Sequence, residues 1–197
     1  GSSGCKVDLI FAGDPAAPGV EAGGTNVTLR RWSQWISSFH PRNAYDGEEF
    51  KVRDWESSLG DFVVDSIVAP AAASGERTLV LAEEWQTAQV VIAIDRLARH
   101  REVRNALTLM WNANGTYGWE NVDWSALAAA AAVTTVSKSL KAGLRRIGVS
   151  ALLIPNGIDL QLHHRADPQL LSEMKQALAG RPTFVKIGRF DPDRNWL

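Results

Sequence analysis

Two arginines five residues apart, Arg189 and Arg194, follow the apolar run Phe184-Val185-Lys186-Ile187 and the break at Gly188. Planar, permanently charged guanidinium groups at this spacing suit a diphosphate, and they stabilise it most while negative charge builds on a departing phosphate oxygen. Asp191-Pro192-Asp193 lies between them. Read alone it resembles an Asp-x-Asp metal site, but it sits in a proline turn between two cations that make a metal unnecessary, so no metal is expected. His40, His100 and the adjacent His163 and His164 lack metal-ligand spacing and read as surface residues.

A second set of polar residues follows apolar runs of strand length. Glu83-Glu84-Trp85 joins two carboxylates to an indole, a combination that accepts hydroxyl hydrogen bonds and packs on the less polar face of a pyranose. The alternative is that the glutamates compensate a helix dipole while Trp85 belongs to the core. Asn112 and Asn114 fall in Trp111-Asn112-Ala113-Asn114-Gly115-Thr116-Tyr117-Gly118-Trp119, which mixes amides with aromatic rings and reads as an acceptor loop or as an aromatic plug. Gly23 and Gly24, with Asn26 beyond them, are expected to open a helix whose free N–H groups hold an anion, or else to form a flexible turn. Asn156-Gly157 places an amide after another strand, though this dipeptide favours a tight turn by itself. Ser137 reads as a helix cap and not as a nucleophile.

These residues need a scaffold of alternating strands and helices. Val7–Ala12 reads as a buried strand, and Leu29, Trp32, Ile36 and Phe39 fall at helical spacing. Trp55, Leu59, Phe62, Val63 and Ile67 predict a helix that Pro70 kinks or ends. Residues 78–82 and 106–111 are apolar runs expected to be strands covered on both faces, with a helix between them through Val90, Ile94 and Leu97. Asp123 is expected to cap a helix over 124–131, and Ser137 another carrying Leu140, Leu144 and Ile147. Strands are expected at 133–136 and 151–154, and Asp167-Pro168 starts a helix that Gly180 closes. The alternation predicts an α/β layer structure, a Rossmann-like open parallel sheet with helices on both faces.

The whole chain of 197 residues carries a formal charge of −1, so no global field attracts nucleic acid or anionic lipid. Its 45% hydrophobic content is that of a globular protein with one sizeable core, and no run is long enough for a membrane-spanning helix. One cysteine, Cys5, excludes an internal disulfide and fits a reducing cytoplasm. Gly1-Ser2-Ser3-Gly4 reads as a tag remnant or a flexible terminus.

Val133-Thr134-Thr135-Val136-Ser137-Lys138-Ser139-Leu140, then Ile154-Pro155-Asn156-Gly157-Ile158-Asp159, then the Gly-Arg segment, form an order that resembles the retaining nucleotide-sugar glycosyltransferases of the GT-B fold, the group of glycogen, sucrose and trehalose synthases. Glu21-Ala22-Gly23-Gly24-Thr25-Asn26 and Ala82-Glu83-Glu84-Trp85-Gln86-Thr87-Ala88 extend the likeness over most of the chain. The resemblance implies an acceptor-side domain over 5–180 and, over 181–197, the first strand and loop of a nucleotide-sugar domain that continues beyond Leu197. It implies transfer of a sugar from a nucleotide to a carbohydrate or small hydroxyl acceptor with retention of configuration. The nucleotide sugar is then a co-substrate, with no bound cofactor, and a fragment of this extent is expected to be inactive. Two departures stand out. Arg194 occupies the place of the family's lysine, and Trp111 and Asn112 stand where a histidine is common. Self-association through the last strand is a further expectation. A noncatalytic sugar- or partner-binding module and a sugar-nucleotide epimerase-like enzyme remain alternative readings.

Overall fold

A computed structural model describes residues 4–43, 45–157, 167–179 and 181–182. The chain divides into two compact units, Gly1–Asn156 and Gly157–Leu197.

The first unit contains two sheets. Val7–Ala12 (β1), Val20–Gly24 (β2) and Val27–Trp32 (β3) form the first, in the order β1-β3-β2, with β1 parallel and β2 antiparallel to β3. Here the expected helix across Leu29 and Trp32 is overturned. The β-branched Val27 and Thr28 favour extended backbone, Arg30 pairs with Asp8 at 2.7 Å, and Arg31 pairs with Glu21 across the β2–β3 hairpin. Only the end of the apolar stripe is helical, in the short Gln34–Phe39 helix.

A helical rod then spans 48–73. Its α-helical pieces Glu48–Asp54, Gly60–Val63 and Ala69–Ala73 are joined by π-helical turns at Trp55–Leu59 and Val64–Val68. Pro70 does not end it, because it falls at the start of the last α-helical piece, where a missing N–H costs least.

The second sheet is all parallel, in the order Thr78–Glu83 (β4), Leu107–Ala113 (β5), Ala132–Thr135 (β6) and Leu152–Leu153 (β7). The helices Ala88–His100, Trp124–Ala130 and Lys138–Arg146 connect these strands. Asp123 caps the second of these by accepting from Ala126 N–H at 3.0 Å, and Ser137 caps the third by accepting from Leu140 N–H at 3.2 Å. Val64, Ile94, Leu127 and Leu144 from the helices pack with Leu109, Trp111 and Val133 from the strands in one core. Arg104 ties the layers together, reaching Asp95 on a helix and the carbonyls of Leu107 and Ala130.

Burial alternates along β4 and β5, so among the described residues one face of these two strands is the more deeply packed, whereas Val133, Thr134 and Thr135 of β6 are all buried. This corrects the expectation that the 78–82 strand is covered on both faces: among the described residues the other face exposes Leu79, Leu81 and Leu152. The α/β class and the parallel sheet are as expected; the single open sheet is replaced by a mixed three-stranded and a parallel four-stranded one.

In the second unit, Pro168–Leu178 is helical. Asp167 caps it by accepting from Gln169 N–H at 2.8 Å, and the turn closes at Ala179 in the left-handed region. Gly180 lies outside the described residues.

Candidate functional site

Parallel strands point their carboxyl ends in one direction, and the loops leaving those ends are where α/β sheets hold ligands. The register of β4, β5 and β6 sets Glu83, Asn112 and Thr134 side by side in one row at this end of the open face. Thr134 donates to Asn112 Oδ1 at 2.8 Å, Asn112 donates to Asn114 Oδ1 at 3.0 Å, and Asn114 donates to Glu83 Oε2 at 3.3 Å. The chain of contacts runs from hydroxyl through two amides to a carboxylate.

Glu84 stands next to this row in an unusual conformation. Its backbone lies at φ 65° and ψ 163°, a region essentially reserved for glycine. Four bonds hold it there, one of them from the Thr87 hydroxyl to its carbonyl at 2.9 Å. Its N–H donates to Asn112 O at 3.1 Å, and its carbonyl accepts from Trp111 Nε1 at 3.0 Å and from Thr87 N–H at 3.1 Å. Strain of this kind persists where the surroundings over-determine it, and it collects at functional sites. The result is a side chain turned toward β5, with its carboxylate accepting from Asn114 N–H at 2.8 Å. Burial and the neighbouring Glu83 raise the pKa of Glu84, against the opposing hydrogen bond from Asn114. A carboxyl with a raised pKa can serve as a donor as well as an acceptor toward hydroxyls.

Aromatic residues frame the row. Trp85 packs its ring on Gly118, at φ 74°, where a Cβ would come within 2.1 Å of the indole. Tyr117 meets Trp85 edge-on at 6.3 Å and donates its hydroxyl to Glu48 at 3.2 Å, while Gln86 donates to the other Glu48 oxygen at 2.7 Å. Glu48 thereby ties the first turn of the 48–73 rod to the loops after β4 and β5. Its charge also raises the pKa of the Tyr117 phenol. Trp111 has no exposed surface and belongs to the core, not to the loop surface.

Of the residues singled out in the sequence, Glu84, Trp85, Asn112 and Asn114 meet at this one place. Gly23, Gly24 and Asn26 do not join them. They lie at the β2–β3 hairpin, and this corrects the expected helix N-terminus there: no helix begins at this turn, so no row of free N–H groups is available for an anion. Asn26 instead gives its backbone carbonyl to Val7 N–H at 2.8 Å, pinning the hairpin to β1. Asn156 is exposed beyond the end of β7. Arg189 and Arg194 lie outside the described residues, as do His163 and His164.

Reading by motif missed Glu48 and Thr134, and took in Tyr117 only as part of the 111–119 loop. The register of β6 on β5 places Thr134 in the row; Glu48 gave no signal, because its partners are 38 and 69 residues away. Among the described residues no group of His, Cys, Asp and Glu is arranged to hold a metal ion, and no helix is long and apolar enough to cross a membrane.

No protein-family model matches the chain, and neither a curated protein nor a solved structure matches it.

Proposed function

We propose that this chain supplies the acceptor-side domain of a nucleotide-sugar glycosyltransferase of the GT-B type, acting with retention of configuration. The observation that carries the reading is the strained Glu84, whose carboxyl is set beside Glu83, Asn112 and Asn114 at the carboxyl ends of parallel strands. Carboxylates and amides in a row discriminate hydroxyls by their ability to donate and accept at once. The acceptor hydroxyl binds here. Its oxygen bonds to the anomeric carbon of the donor on the face from which the diphosphate oxygen leaves, and the hydroxyl proton passes to that leaving oxygen. Arg189 and Arg194 take the diphosphate charge, which grows as that bond lengthens. The nucleotide sugar enters as co-substrate.

The assignment of the arginines is tested in a protein that joins this chain to a nucleotide-sugar domain. Arg189→Ala and Arg194→Ala are expected to lower kcat by about 100-fold each, the usual loss for one transition-state donor, with the acceptor KM unchanged. Unaltered turnover of a nucleotide sugar in both variants would contradict the proposal.

A further inference from the structure

A second concave site lies away from the Glu84 row, at the carboxyl end of β1. It is a cavity of about 230 Å³ whose walls include Asp14, Ser37, His40, Asn43 and Lys51. An adjoining hollow of about 180 Å³ is walled by Trp35, Ile36, Phe39, Phe50 and again His40. The first mixes polar and apolar walls, the second is almost wholly apolar, and the imidazole stands in both.

The polar half is firmly built. Lys51 is only 5% exposed, and its ammonium donates to the carbonyls of Asp46 at 2.7 Å and Asn43 at 3.4 Å, fastening the 43–46 loop. Asn43 Oδ1 accepts from Tyr45 N–H at 2.8 Å and Asp46 N–H at 3.1 Å, which leaves its NH₂ without a bond among the described residues. His40 stacks on Phe50 at 5.6 Å and turns Nδ1 toward Asp46 at 3.5 Å. Ser37 is 4% exposed, yet its hydroxyl makes no hydrogen bond among the described residues. That hydroxyl lines the cavity and can both donate to and accept from a ligand.

The charge balance selects the ligand. Lys51 alone would favour an anion, but the Asp14 carboxylate shares the wall and Asp46 sits behind His40, so cations and carboxylates offset one another. What remains is a set of donors and acceptors matched to neutral hydroxyls. The apolar half adds exposed aromatic faces, with Trp35 66% and Phe39 77% accessible, of the kind that pack on the C–H face of a sugar ring. We infer that this paired cavity binds a neutral pyranoside, its hydroxyls at Ser37 and Asn43 and its ring face on Trp35. The site shares no residue with the Glu84 row, and its occupancy does not depend on that row's function.

Saturation-transfer NMR and tryptophan fluorescence on the 197-residue chain test this, with methyl α-glucoside, methyl β-glucoside and maltotriose as neutral probes and glucose 6-phosphate as the anionic one. At least one neutral probe is expected to bind, more tightly than glucose 6-phosphate, and to weaken by about tenfold in Trp35→Ala and in Ser37→Ala. Both variants should fold, because Trp35 is exposed and the Ser37 hydroxyl has no partner to lose; unchanged circular dichroism checks this. Glu84→Ala should leave the binding intact. Failure of all neutral probes to bind, preference for glucose 6-phosphate, or binding indifferent to Trp35→Ala and Ser37→Ala overturns the inference. Loss in Glu84→Ala with retention in Trp35→Ala would move the sugar to the Glu84 row, which overturns this site while leaving the row's own reading standing.

Discussion

The indole N–H of Trp111, a side chain with no exposed surface, donates at 3.0 Å to the backbone carbonyl of Glu84. A core residue thus fixes the dihedrals of a surface carboxylate. The sheet's packing and the polar row are coupled through this bond, since Trp111 is anchored in β5 by the core on one side and holds the end of β4 on the other.

Because Glu84 occupies a glycine region, the usual ranking of alanine over glycine should invert at this position. Glu84→Gly is expected to be more stable than Glu84→Ala by about 1–3 kcal/mol, the cost of holding a Cβ in such a conformation. Both variants lose the acceptor for Asn114 N–H, so that loss cancels in the comparison. Urea denaturation of the two would check it, and an alanine variant as stable as the glycine one would show that Glu84 is unstrained.

A pH dependence follows from the raised pKa of Glu84. With its folded pKa above the unfolded value, the native state binds the proton more tightly, so stability is fully present below the unfolded carboxylate range and declines as pH rises through the folded pKa. Glu84→Gln keeps an oxygen for Asn114 N–H and removes the charge. Its melting temperature should match the wild type at low pH and exceed it near neutrality by about 1–3 °C. The effect is small because the group is half in solvent. A difference independent of pH would argue against this titration.

Gly118 has a different reason to be glycine. At φ 74°, with an added Cβ 2.1 Å from the Trp85 ring, Gly118→Ala combines backbone strain with a clash that only displacement of the indole relieves. Destabilisation above about 2 kcal/mol is expected, together with a change in near-ultraviolet circular dichroism as Trp85 leaves its seat. An alanine variant with native stability and spectrum would contradict the packing.

The repeating unit of strand and helix was legible because long apolar runs and capping residues are local signals. Ser137 and Asp123 cap as their types require. The β2–β3 hairpin was not legible, since Leu29, Trp32 and Ile36 satisfy helical spacing and the pairing of Arg30 with Asp8, 22 residues away, is invisible to any local window. The polar row was partly legible: Glu84, Trp85, Asn112 and Asn114 announce themselves by type after strands. Neither the strain at Glu84 nor the contribution of Glu48 could be read, because both depend on which loops meet in space. The bare face with Leu79 and Leu81 also escaped, for continuous apolar runs look alike whether one face or two are covered.

The reading of the Glu84 row as an acceptor site is tested most directly by glycosyl-transfer kinetics of a protein that joins this chain to a nucleotide-sugar domain, wild type against Glu84→Ala. The account predicts an acceptor KM raised by about tenfold or more, with the nucleotide-sugar KM unchanged. An unchanged acceptor KM, or no transfer from any nucleotide sugar by the wild type, would contradict it.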